Sequence, residues 1–213
     1  MVAPTDGSLE RNTFEFQNYA RQNPAGIVEK LKVRLAAQTD KTSRMYASIQ
    51  DAITELSSLS PVSNLIWNKA LYKACLDHAN DQAKTNQFGH DGSDGSVFTA
   101  RIARYSDASS YQGENLAAGY STAEDIIMAL IIDDGVSSRG HRKNIYLAAY
   151  QYGGIGITKT QPTYGVEAVF DFAGSITNKA NVDCTTGTTP KSSAISNFSA
   201  LLAVILTISL LLI

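Results

Sequence analysis

The sequence predicts an α+β domain, with helices packed on a small antiparallel sheet. Three observations carry this. Apolar residues recur at helical spacing between Trp67 and Lys84, a nearly all-apolar run covers Ile126 to Ile132, and the segment TYGVEAVFDFAG alternates as a strand does. At 213 residues the chain suits one well-cored domain.

The first helical stretch is FEFQNYARQNPAGIVEKLKVRL, Phe14 to Leu35. Pro24 interrupts it and suits the first turn of a second helix, in which Ile27, Leu31 and Leu35 repeat every four residues. A polar segment, AAQTDKTSRM, follows. In the next helix Leu71, Cys75, His78 and Gln82 recur at spacings of four, three and four, so His78 is expected to be packed or at a rim. That helix runs out into TNQFGHDGSDG, whose glycines and aspartates make a loop carrying His90.

Ser121 and Glu124 have the spacing of a capping box and predict the start of the apolar helix, with Gly135 as its stop. GGIGITKT and TYGVEAVFDFAG then predict two strands joined through QPT. In the second, Val166, Ala168, Phe170 and Phe172 alternate with Glu167 and Asp171, while Val169 and Ala173 add apolar residues to the other face. A strand so built is expected to be central and covered on both sides.

A net charge of −2 without a Lys/Arg stripe disfavours a nucleic-acid partner. The two cysteines, Cys75 and Cys184, lack zinc-site spacing. Cys75 lies on a helical apolar stripe and reads as a buried thiol, a bridge to Cys184 being the alternative. The start, MVAPTDGSLERN, has neither basic residues ahead of an apolar core nor the core itself, so no secretory signal is visible. The end differs. Phe198 to Ile213 carries no charge and follows a Ser/Thr-rich spacer, the pattern of a GPI-attachment signal, with a short membrane anchor as the alternative. The expected organisation is a lead-in over 1–13, a domain over 14–180, a spacer over 181–197 and a hydrophobic tail over 198–213.

Several polar residues fit this scheme poorly. Asp133 and Asp134 close an apolar helix at its C-terminus, where the helix dipole disfavours anions. Arg139 or Arg142 is one expected partner for them. Glu114 lies in YQGENLAAGY, a carboxylate entering an apolar segment that reads as a strand. His90 and His141 each follow a glycine. Two imidazoles and two carboxylates at element ends would suit a divalent metal with open water positions if they met in one cleft; a hydrogen-bonded cluster without metal is the alternative. Gly140 is expected to let the backbone turn sharply enough to aim His141 inward, with Arg142 pointing outward or pairing with an aspartate.

Taken in order, LIWNKALYKACLDHANDQAKTNQFGH, GENLAAGYS, SSRGHRKNI, GGIGI and VFDFAG resemble the CAP superfamily of cysteine-rich secretory, antigen-five and pathogenesis-related proteins, whose domain is also called SCP. ARQNP looks like that family's opening helix, and the likeness covers Phe14 to Gly174. The resemblance implies a three-layer α-β-α sandwich with a central antiparallel sheet. It also implies a cleft in which His90, Glu114 and His141, with Asp133 or, as runner-up, Asp134, can bind zinc. Leu130 stands where the family has a tryptophan, the GHRKN form is closer to a bacterial-type branch, and the disulfides of many secreted members are missing.

The resemblance further implies a secreted or cell-surface module, non-enzymatic, that binds a sterol, a fatty acid or a protein partner. The alternative is a peptidase-like hydrolase, metal-dependent or using Ser137 or Ser138 beside His141. Neither serine sits in a strained nucleophile turn.

Overall fold

A computed structural model of the chain describes residues 7–183. The spacer from Cys184 onward and the 198–213 tail, with the GPI signal or membrane anchor expected there, lie outside the described residues. Helix α1 (Leu9–Gln22) starts ahead of the expected boundary, capped by Ser8, whose Oγ accepts from Arg11 N. Asn23 closes α1 and opens α2 (Pro24–Ala36), with its Oδ1 accepting from Gly26 N and Pro24 in the first turn. The break at Pro24 is therefore as the sequence predicts.

After the polar segment, where the sequence shows no clear helical period, α3 (Arg44–Ser57) forms. Ser43 caps it, and Ile49, Ala52 and Leu56 are buried at spacings of three and four. After a two-residue strand, β1 (Ile66–Trp67), comes α4 (Lys69–Thr85), capped by Asn68. A short helix α5 (Phe98–Tyr105), also unassigned in the sequence, leads into β2 (Ser106–Ser110) and β3 (Gly113–Ala118).

The apolar helix is α6 (Ala123–Ile132). Its cap is Thr122, whose Oγ1 accepts from Asp125 N, one residue beyond the expected Ser121. Its stop is also earlier than Gly135, because Asp133 itself takes the left-handed conformation (φ 56°). Then follow α7 (Gly140–Tyr146), β4 (Tyr152–Gln161), β5 (Gly165–Ala173), β6 (Ser175–Asn178) and α8 (Ala180–Asp183).

The main sheet has the order β1-β4-β5-β3. Its β4, β5 and β3 members are antiparallel, and the short β1 runs parallel to β4. β5 is internal and buried on both faces, as its alternation predicts. One face holds Ile155, Ile157, Ala168, Phe170 and Phe172 against α1, α2, α3, α6 and α7. On the other, Leu71, Ala74, Cys75 and Ala79 of α4 pack on Leu116, Val169 and Ala173, with Ile102 of α5 beside them. The result is three layers, helices on both sides of the sheet.

Two glycines permit the α4 layer. Gly154 and Gly156 of β4 face α4, and a Cβ at either would overlap the α4 backbone, at Tyr72 and Leu76 respectively. Backbone cannot give way as a flexible side chain can. Gly156→Ala is expected to lower unfolding stability by about 2–3 kcal/mol, read by chemical denaturation, whereas Gly89→Ala, with open space at its Cβ, should cost far less. Equal losses would show that α4 does not sit this close to the sheet.

Candidate functional site

The four residues singled out by sequence come together as two histidine–carboxylate pairs on either side of edge strand β3. In the first, His90 Nδ1 contacts Glu114 Oε1 at 2.8 Å, and Arg101 Nη2 donates to Glu114 Oε2 at 2.6 Å. Glu114 and Arg101 are almost wholly buried, whereas 56% of the His90 side chain is exposed. The loop carrying His90 is held from below. His78 Nε2 pairs with Gly89 O at 2.9 Å, Gln82 Oε1 accepts from Gly89 N, and Arg101 reaches His90 O and Ser96 O. His78 is thus a packed residue that positions the loop.

The second pair depends on the end of α6. Because Asp133 turns left-handed there, its carboxylate meets the start of α7. Oδ2 accepts from the backbone N–H of His141 (3.0 Å) and of Arg142 (3.4 Å), while Oδ1 contacts His141 Nδ1 at 2.7 Å. Asp133 caps α7 from across space, which relieves the unfavourable placement of an anion at the end of α6. Gly140 is the first residue of α7 and has no positive φ; the sharp turn is made instead by Gly135 and Arg139 (φ 82° and 53°).

Asp134 is committed elsewhere, to Arg44 (2.9 and 3.0 Å) and Ser48. Arg142 does not point outward. It is fully buried, binds the α6 carbonyls of Ile131 and Ile132, and pairs with Asp51 and Glu55. Arg139 donates to the Asp133 carbonyl rather than its carboxylate.

Each pair lines its own cleft. His90 and Glu114 share one of about 490 Å³ with Gln112, Asn144 and Tyr150. Asp133 and His141 line a larger one, about 730 Å³, floored by Met45, Ile49, Leu116, Ala117 and Leu130. Half-exposed Phe88 and Tyr164, in edge contact at 5.4 Å, stand at its rim with Tyr120.

Both carboxylates are thus occupied by their own imidazoles. Among the described residues no group of three or more His, Cys, Asp or Glu is placed to hold a metal ion. The residues present do not fit a metal centre of four protein ligands. What stays free is Nε2 of each ring, the carboxylates acting as orienting partners.

Sequence reasoning treated Glu167 and Asp171 only as the polar side of β5. Both are fully buried under α4; among the described residues the Glu167 carboxylate has no hydrogen-bond partner, and Asp171 faces the Cys75 thiol. Asp171 lies directly across from Glu114, and Glu167 across from Ala118. Burial, and then the charge of Glu114, pushes the Asp171 pKa well above the carboxylate range and that of Glu167 up to about 8. Arg101 carried no sequence signal either; it follows a glycine-rich loop on a helix too short to show a period. The Glu114 hydrogen bond, the largest cause, raises the His90 pKa.

The model of the cysteine-rich secretory protein family, CAP, matches residues 14–172. The chain belongs to the CAP family. No curated protein sequence matches it significantly. Among solved structures, an extracellular SCP-domain protein of Bacillus anthracis is 20% identical (TM-score 0.43), covering 60% of this chain and 37% of its own. An outer surface protein of Borrelia burgdorferi is 17% identical (TM-score 0.46), covering 66% of this chain and 96% of its own. A cysteine-rich secretory protein of Staphylococcus aureus is 10% identical (TM-score 0.41), covering 65% and 40%. The chain thus spans well under half the length of the first and third.

The buried acids of this CAP domain give a pH signature. A carboxyl whose folded pKa is raised keeps its proton after the unfolded chain has released it. Stability is therefore lost as pH climbs from about 4.5 to about 8 for Glu167. Glu167→Gln is expected to gain about 2 kcal/mol at pH 7.5 and nothing at pH 4, by denaturant titration at both pH values. An equal effect at both would refute the titration.

Proposed function

We propose that this CAP domain is a non-enzymatic module, acting in the secreted or cell-surface setting, that binds a small hydrophobic ligand in the cleft between α6 and the β3 edge. The observation carrying this reading is the cleft itself. It has the volume typical of small-molecule sites, an apolar floor, an aromatic rim, and one oriented polar pair, Asp133–His141. A sterol or a fatty acid is of suitable size and character. The surface setting draws on the family and on the uncharged run Phe198–Ile213, a GPI signal or membrane anchor in this reading. Among the described residues no helix is long and apolar enough to cross a membrane.

Against the hydrolase alternative stands the surroundings of the imidazoles. Among the described residues neither Nε2 meets a hydroxyl or a thiol, and Ser137 and Ser138 are exposed on the turn before α7. A protein partner is the other occupant this reading allows. Among the described residues zinc would find two free imidazole nitrogens, one in each cleft.

Lipid extraction tests the reading. Full-length chain purified from its membrane-bearing host is expected to carry an amphiphile identifiable by mass spectrometry, at near one per chain. Ala129→Phe, which fills the cleft from α6, should reduce that occupancy at least about tenfold. Equal lipid content in the two proteins would remove the cleft as the binding site.

A further inference from the structure

The cleft of the proposed function has a chemical preference built into its one polar wall. Asp133 is an acceptor throughout: Oδ2 takes the backbone N–H groups of His141 and Arg142, and Oδ1 faces His141 Nδ1 at 2.7 Å. An acceptor-only carboxylate places the shared proton on the ring, at Nδ1. In the neutral tautomer so selected, Nε2 holds a lone pair. His141 is partly exposed within the cleft, and its Nε2 is neither bonded among the described residues nor one of the buried unpartnered atoms. The polar wall therefore offers a hydrogen-bond acceptor to whatever enters.

The charges around it point the same way. The described lining has three carboxylates, Asp125, Asp133 and Asp134, and one guanidinium, Arg34. Arg34 is already paired with Asp125 at 2.7 Å and with Glu124. No unpaired cation is left among the lining residues to receive an anionic head group, which would have to lie beside a lone pair and near carboxylates.

We propose that the cleft selects an uncharged amphiphile with a hydroxyl head, a long-chain alcohol in the simplest case, over the corresponding carboxylate, and that His141 Nε2 accepts the hydroxyl proton. The inference rests on the cleft being the ligand site. His141 is the specificity-determining residue, and Asp133 acts through it by fixing the tautomer.

Photolabelling tests this on the full chain in detergent micelles, with chelator present. Two probes are compared, a diazirine-bearing dodecanol and a diazirine-bearing dodecanoate, and labelling is read only on peptides lining the cleft. The alcohol is expected to label them about three- to tenfold more than the acid, the weight of one net hydrogen bond. His141→Phe keeps an apolar ring but removes the acceptor, and it should cut labelling by the alcohol about three- to tenfold without raising labelling by the acid. Equal or stronger labelling by dodecanoate in the wild type overturns the preference and leaves the ligand site standing. Labelling of the cleft by neither probe overturns the ligand site and the preference together. If His141→Phe fails to fold, the wild-type comparison alone decides.

Discussion

Three fully buried guanidiniums tie the layers of this domain together, and both histidine pairs depend on them. Arg21 of α1 donates to the carbonyls of Ser63, Ile145, Leu147 and Tyr150, joining the first helix to the end of α7. Arg101 binds Ser96 O, His90 O and the Glu114 carboxylate. Arg142 takes the last carbonyls of α6 and the acids of α3. Burying a charge without partners is costly, so each is stable only where several acceptors converge. Burial lowers the Arg21 pKa, to about 10, which still leaves it charged at neutral pH. Conversely, the acceptors are carbonyls of helix ends and connecting loops, where regular helix or strand bonding does not use them all. A fork of five donors suits that task better than an ammonium could.

The same constraint explains why the site divides. Arg101 neutralises Glu114 within the α4 layer and leaves His90 at the surface above it. Arg142 anchors the junction of α6 and α7 in the opposite layer, where the left-handed turn at Asp133 delivers its carboxylate to His141. Edge strand β3 lies between the two pairs and sends Glu114 to one cleft and Ala117 to the other. Each acid then orients its own ring. The larger cleft sets the Asp133–His141 pair against an apolar floor.

Much of this was legible in sequence, because it follows from periodicity and local chemistry. Pro24 after Asn23 marked the α1–α2 junction, and the alternation through Phe172 marked β5 as a covered central strand. His90, Glu114, Asp133 and His141 stood out as polar residues at element ends, and the family resemblance ordered them. What could not be read was pairing over distance. Nothing local distinguishes Asp133 from Asp134; the choice is made by Arg44 and Ser48 of α3, which claim Asp134. Nor does Arg142 announce that it will be buried, since Asp51 and Glu55 lie some ninety residues earlier. Val169 and Ala173 showed that the acids' face of β5 would be covered, but not that Glu167 and Asp171 would lie under α4. Gly154 and Gly156, which allow that covering, read as ordinary strand glycines until the helix backbone is seen against them.

His90 and His141 sit in two acid-oriented pairs, each ring held by its own carboxylate. Zinc titration of the full-length protein, followed through the imidazole resonances of His90 and His141 at neutral pH, tests it most directly. Two independent pairs predict that one equivalent of zinc does not move both resonances together, and that any zinc effect on one ring survives replacement of the other by alanine. A concerted shift of both rings, saturating at one equivalent and lost in either His90→Ala or His141→Ala, would contradict it.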